Sequence, residues 1–163
     1  MTTHDKQHPL TSREDHVGDV DPTKFLRSDR TWQRIPLVGV VTLLQSGAGE
    51  TWFNMPAALT EFDSISHTRT KLDLTGAVDS RVVVRKGAAA VATAKIKVQY
   101  SSDESTWADL CEVSLSITVD VTHVGAWTVV PSGAKADVFV RIVGIDGDGA
   151  ADPSFGLITL QVR

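Results

Sequence analysis

The sequence predicts an all-β fold: a jelly-roll or β-sandwich domain that follows an extended N-terminal arm. After residue 36, short apolar or alternating segments recur at intervals of roughly eight to twelve residues. Gly, Pro, Asp and Ser cluster between them, as in the turns of sandwiches and barrels. With 163 residues, the chain has the length of one ordinary domain, so we expect a single hydrophobic core.

Residues 1–36 form the predicted arm, which differs in composition from the rest of the chain. They hold three of the five histidines and three of the six prolines, with many charges of both signs. Their apolar residues follow no sustained period, so the segment cannot build its own core. Phe25, Leu26 and Trp32 are large side chains in this segment, which predicts that they bind a partner surface. The alternative is a disordered tail.

The predicted sandwich domain covers residues 37–163, and its first strand is the apolar run LVGVVTLL at residues 37–44. The glycine-rich segment 45–49 is expected to end that strand as a turn. Two brief extended segments follow on either side of Pro56, and residues 68–74 then alternate. A further short buried strand is indicated by the three consecutive valines at positions 82–84.

The second half of the domain continues the same pattern. Apolar side chains alternate with polar ones in residues 91–100, and most cleanly in residues 114–121. Residues 138–145 and 157–162 complete the set of predicted strands. The Ala-rich segment 86–94 is interpreted as a turn rather than a helix, because it contains a glycine and β-branched residues without a cap.

Composition and charge exclude several classes of function. The formal net charge is -4 and the basic residues are interspersed, so nucleic-acid binding and attachment to anionic membranes are not expected. Cys111 is the single cysteine, so no intrachain disulfide is expected. The N-terminus lacks the apolar segment of a signal peptide, and no run is long enough for membrane insertion.

No constellation of catalytic residues is evident, so we expect that the protein is not an enzyme. Cys111 lies next to Glu112, whose charge raises rather than lowers a thiol pKa, and a buried structural cysteine is predicted. His67 and His123 each stand alone on predicted strand surfaces. The sequence also lacks a nucleophile elbow, a zinc-protease helix motif, paired CxxC motifs and a phosphate-binding loop.

Two further features have a structural and a functional interpretation. Asp146, Asp148 and Asp152 alternate with small residues, which indicates a turn between two strands or a weak Ca²⁺ site. They do not match an EF-hand loop, so the turn is favoured and no cofactor is expected. Trp107 and Trp127 lie in or beside predicted loops, where they either pack locally or stack on a glycan.

The arm and the C-terminal half of the domain resemble known phage proteins. The arm has His-Pro-Leu at residues 8–10, His16 two residues before a glycine, and KFLRSDRTW at residues 24–32. This order resembles segments of phage fibre and collar-type virion proteins that read KFLRGDGTW, although Ser28 and Arg30 replace the two glycines. KIKVQYSSDESTWADL, ADVFVRIVGIDGDG and FGLITLQVR are similar to jelly-roll domains of phage fibres and head decorations.

This resemblance implies a virion accessory protein: a head decoration, a head fibre or a tail-attachment component. Such proteins are usually homotrimers that are made in the host cytoplasm, anchored by an N-terminal segment, and display a compact β domain on the virion. The implied partners are sister chains and other virion proteins such as capsid, portal or tail. The alternative is a carbohydrate- or receptor-binding sandwich that contacts a host surface glycan through Trp107 or Trp127.

Overall fold

In this computed structural model, the described residues are 24–26, 32–34, 39–62, 69–88 and 91–163. The chain divides into two units, Met1–Ile35 and Pro36–Arg163. In the first unit, β1 (Lys24–Leu26) pairs antiparallel with β2 (Trp32–Arg34), and Leu26 lies opposite Trp32. The irregular apolar spacing of the arm did not predict this pairing.

The second unit consists of two antiparallel sheets. Its strands are β3 (Gly39–Thr51), β4 (Thr60–Glu61), β5 (Thr70–Asp73), β6 (Asp79–Lys86), β7 (Lys95–Ser101), β8 (Ala108–Ser114), β9 (Val121–Val124), β10 (Thr128–Val129), β11 (Asp137–Ile145) and β12 (Ser154–Val162). Sheet I has the order β10-β6-β12-β3, with β9 also paired to β6. Sheet II has the order β4-β11-β7-β8, with β5 also paired to β11. Among the described residues, no helix is long and apolar enough to cross a membrane.

The hydrophobic core lies between the sheets and is built by the period-two alternation of the strands. In β7, Ile96 and Val98 are fully buried, whereas Lys95 and Lys97 point outward, as the sequence predicted. At one end of the core the ring of Phe62 lies between those of two other buried aromatic residues, Trp52 and Phe155. The predicted all-β sandwich is therefore confirmed.

The turn predicted at residues 45–49 is wrong, because β3 continues through this segment to Thr51. Gln45 faces Leu157 of β12, and Glu50 faces Phe155, so four residues of β3 lie opposite one residue of its partner. Such an excess of residues forms a bulge rather than a chain reversal. Gly49 has a φ of 81°, which a glycine adopts at little cost, and pairing with β12 resumes immediately after it.

The strand predicted at residues 114–121 is also wrong. β8 ends at Ser114 and β9 starts at Val121. The residues between them connect the two sheets. Leu115 is buried, but Ile117 and Val119 are 68% and 53% exposed. Alternation is a local pattern, so it does not show that the chain crosses between sheets here. A single continuous strand cannot make this crossing, because its residues would all belong to one sheet.

Candidate functional site

Trp107 lies on the outer face of sheet II beneath two arginines. The guanidinium carbons of Arg141 and Arg69 are 4.2 and 5.1 Å from its ring centroid. Its indole N–H donates to the carbonyl of Glu104 at 3.2 Å, which fixes the orientation of the ring. A half-buried tryptophan held in this way fits the predicted role in local packing.

The two arginines over Trp107 share one carboxylate. Arg69 forms a two-pronged hydrogen bond with Glu61 through Nε (3.0 Å) and Nη2 (2.9 Å), and Arg141 Nη1 donates to Glu61 Oε2 at 3.2 Å. Arg141 also donates twice to the side-chain oxygen of Gln99, at 3.0 and 2.8 Å. The hydrogen bonds from Arg69 are the main reason that the pKa of Glu61 lies below its usual value.

Trp127 has an equivalent environment on the outer face of sheet I. The guanidinium carbons of Arg81 and Arg163 both lie 4.4 Å from its ring centroid. Arg81 Nε donates to the side-chain oxygen of Gln161 at 2.8 Å, and Arg163 Nε pairs with Asp79 at 3.0 Å. Arg81 belongs to β6, and Arg163 follows β12 at the end of the chain. Pairing of β6 with β12 in sheet I brings the two arginines together.

The structure separates the two tryptophans and does not place them in one site. A sugar that stacked on the ring surface covered by the arginines would have to displace a cation–π contact at either position. The glycan contact predicted for Trp107 and Trp127 therefore remains a prediction, and their observed contacts favour packing.

The three aspartates of the predicted Ca²⁺ site lie in the connection between β11 and β12. These strands belong to different sheets, so the connection is a crossing loop and not the tight turn that the sequence suggested. Asp148 Oδ1 accepts the amides of Ala150 and Ala151 at 2.9 and 2.8 Å, which lowers the pKa of Asp148. Asp152 Oδ1 accepts the amide of Asn54 at 2.5 Å.

These carboxylates therefore stabilise the loop. Asp146 Oδ2 lies 3.7 Å from the amine of Lys95, a third separate partner. Within the described part of the chain, no group of three or more His, Cys, Asp or Glu side chains is placed to hold a metal ion. Ca²⁺ binding at Asp146, Asp148 and Asp152 remains a prediction without support from their geometry.

Candidate nucleophilic and basic groups are buried or already paired. Cys111 is buried, as predicted, and its burial raises the pKa of the thiol to about 12. His123 lies on β9 with its Nε2 atom buried and without a hydrogen-bond partner, and burial, followed by the charge of Lys86, lowers the pKa of this imidazole. His67 lies outside the described residues.

The β3 bulge borders a pocket of about 460 Å³ beside Lys86. Lys86 is fully buried, and its amine donates to the carbonyl of Ala88 at 3.0 Å. Lys86 is among the residues that line the pocket, but its amine is already paired with this carbonyl. Its burial, partly offset by the charge of Asp120, lowers the pKa of Lys86 and indicates a structural role.

Sequence reasoning missed Phe53, which is 74% exposed between β3 and β4. It was overlooked because the preceding Trp52 and the following Met55 are apolar too, and both are buried. A local pattern does not show which of three neighbouring apolar side chains faces solvent. The nearby asparagine and proline signalled only that a loop was present.

Comparisons with known proteins add little to this description. No family model matches the chain, and no curated protein matches it. A solved structure of Eiger, a TNF protein from S. frugiperda, is similar over 78% of this chain and 92% of its own, with 11% identity and a TM-score of 0.42. At this level of similarity, the likeness carries no argument about function.

Proposed function

We propose that this chain is a structural component of a phage virion, such as a head decoration, a head fibre or a tail-attachment protein. Residues 1–36 attach it to the particle or to sister chains, and residues 37–163 form the displayed β domain. Its role is assembly rather than catalysis, and it is made in the host cytoplasm and incorporated into the virion. No cofactor takes part in this role.

The observation that carries the proposal is the division of the chain next to Pro36. Among the described residues, the strands of both sheets begin at Gly39, and the core residues between them come from the second unit. A second unit with its own sheets and core supports a separate role in attachment for the N-terminal segment. The resemblance of the segment to phage fibre and collar proteins supports the same role.

Sister chains are the first proposed partners, in a homotrimer, and capsid, portal or tail proteins are the second. Phe25, Leu26 and Trp32 are proposed to make these contacts, since large apolar side chains gain most from burial at an interface. Three copies on one particle would also strengthen a weak contact of each domain through avidity. Sedimentation of the full chain would measure the number of copies.

A complementation experiment tests the attachment role. Particles that lack this protein are produced in cells that express either the full chain or a chain without residues 1–36, and the copies per particle are counted by quantitative mass spectrometry. We expect the truncated chain to unfold cooperatively in urea and to be absent from particles. Normal incorporation of the truncated chain would refute the proposal.

Two full-length variants separate attachment from folding. Replacing Phe25, Leu26 and Trp32 together by serine is expected to reduce incorporation at least tenfold. Val129→Ser, at an exposed position on sheet I, is expected to leave incorporation unchanged. Equal loss in both variants would indicate that the second unit, rather than the arm, makes the contact.

A further inference from the structure

An apolar side chain is presented to solvent at one end of the sandwich. Phe53 is 74% exposed, whereas Trp52 and Met55 on either side of it are 8% and 1% exposed. Leu59, which precedes β4, is 41% exposed. We define the tip as residues 52–59 together with residues 146–153, the connection between β11 and β12.

The tip is held by hydrogen bonds between its two loops. Five backbone amides donate across the loops at 2.9–3.1 Å, from Trp52 to Pro153, Met55 to Ala151, Asp146 to Ala57, Gly147 to Pro56 and Gly149 to Met55. Asp152 adds its bond to the amide of Asn54, next to Phe53. Phe53 is therefore exposed on an ordered support, and little conformational entropy remains to be lost when a partner binds it.

Two glycines beneath the tip pack closely against the loop that carries Phe53. A Cβ atom at Gly147 would lie 2.0 Å from the carbonyl oxygen of Met55. At Gly144 it would lie 2.6 Å from the Met55 methyl and 2.6 Å from the Trp52 ring. The Trp52 ring in turn packs on the buried Phe62, with centroids 5.0 Å apart. Trp52 and Met55 thus anchor the loop on both sides of Phe53.

The charge of the tip limits what can bind there. Residues 52–59 carry no charge, and residues 146–153 carry three aspartates and no basic residue. These carboxylates repel phosphates and anionic lipids, so nucleic acid and membrane surfaces are unsuitable. One oxygen of Asp148 and one of Asp152 already accept backbone amides, which leaves fewer acceptors for sugar hydroxyls.

We infer that the tip is a docking site for a protein whose apolar pocket receives Phe53 and whose basic rim faces Asp148 and Asp152. An exposed aromatic on a rigid support is the usual centre of such a contact, and complementary charge around it speeds association. The tip immediately follows β3, which pairs with β12 from Gly39 to Thr51 and, because of its bulge, spans only the roughly 27 Å of that nine-residue strand. It therefore lies at the other end of that strand from the first described residue of the second unit.

Selection of peptides from a random twelve-residue library against the immobilised full chain tests this inference. We expect the selected peptides to combine Lys or Arg with an aliphatic or aromatic residue. Their dissociation constants, measured with synthetic peptides, should rise at least tenfold for Phe53→Ser. They should rise several-fold for Asp148→Asn, whose side-chain oxygen can still accept the two amides of its loop.

The control is Ile117→Ser, which removes an apolar side chain of similar exposure from the connection between β8 and β9. It should leave peptide affinity unchanged, and urea unfolding should show all three variants to be as stable as the parent. Equal loss in Phe53→Ser and Ile117→Ser, recovery of no peptide, or binding of a neutral glycan array through Phe53 in place of peptides would each overturn the inference. The particle experiment above does not depend on this surface, so either proposal can fail alone.

Discussion

The outer faces of the two sheets are built from the same alternation, but different interactions stabilise them. On sheet II, charged groups link neighbouring strands: Glu61 of β4 bonds to Arg141 of β11, and Lys97 of β7 pairs with Asp109 and Glu112 of β8. On sheet I, the row that crosses four strands contains no charge. Strand register places Val124, Val83, Thr159 and Thr42 side by side.

The difference teaches that an outward-facing residue can be either polar or apolar without changing the fold. β-branched residues pack well against their neighbours on a pleated surface, whereas ion pairs depend on the charge of both partners. We therefore expect pH and salt to act on the ion pairs of sheet II and hardly at all on this uncharged row of sheet I, which lies apart from the ion pair between Arg163 and Asp79. The two faces can be compared directly, since each has a tryptophan beneath two arginines.

The largest effect is expected for Arg141→Met compared with Arg81→Met. Arg141 is mostly buried and bonds to both Glu61 and Gln99. Its removal leaves the side-chain oxygen of Gln99 without its donor, while Glu61 keeps Arg69, and should cost about 2 kcal/mol. Among the described residues, Arg81 bonds to Gln161 and contacts the Trp127 ring, and its loss should cost about 0.5–1 kcal/mol. Urea unfolding at neutral pH measures both values, and equal costs would contradict the comparison.

Glu61→Gln should remove about 1 kcal/mol of stability at pH 7, and this difference should disappear in acid. The pKa of Glu61 is lower in the folded protein, so its contribution is complete above the unfolded pKa of about 4.3 and is lost as the pH falls through the folded pKa. The unfolding free energies of parent and variant should therefore begin to converge as the pH falls below the unfolded pKa and should meet once it is below the folded pKa. A difference that is independent of pH would show that the charge of Glu61 is not the cause.

Salt should change the stability cost of substitutions at the ion pairs of sheet II but not on the uncharged row of sheet I, and by less than the two effects above. About 1 M NaCl shortens the electrostatic screening length to ~3 Å. This weakens the exposed ion pair between Arg69 Nη1 and Glu104 Oε2, which are 3.4 Å apart. The cost of Glu104→Gln should therefore fall towards zero in salt. The cost of Val83→Ala on sheet I should not fall, because no ion pair is involved. Thermal unfolding at low and high salt measures this contrast.

The smallest effect is expected for Val124→Thr, which retains β-branching on the uncharged row of sheet I. Val124 is 54% exposed, so the change should alter stability by less than about 0.5 kcal/mol at any pH from 4 to 8. A larger or pH-dependent change in urea unfolding would show that this face is stabilised by something other than packing between neighbouring strands.

Much of the fold was predictable because alternation reports which side of a strand faces the core. Residues 91–100 and 138–145 contain real strands, in which Ile96, Val98 and Val140 are buried as expected. Tyr100 is only partly buried, whereas Gln99 is buried. The same rule failed at residues 114–121, where the alternation was genuine but the chain crosses between sheets. It also failed at residues 45–49, since glycines permit a bulge as readily as a turn.

The candidate sites were less predictable than the strands. Trp107 and Trp127 were singled out as loop aromatics, but their partners come from distant parts of the sequence, such as Arg69 and Arg163. The exposure of Phe53 was not predicted, because the local sequence does not show that Trp52 and Met55 are the buried residues of this segment. Predictions that concern the arm residues Phe25, Leu26 and Trp32 remain open to the particle experiment.

The sequence by itself determined the fold class, the composition boundary near residue 36 and the inward or outward direction of most strand residues. These properties depend on short-range patterns: the period of two, the turn residues and the distribution of apolar side chains. Only the tertiary structure decided which strands share a sheet, that the aspartate loop crosses between sheets, and that Phe53 is presented at the tip. Those outcomes depend on contacts between residues far apart in the chain, which form only when the whole core is assembled.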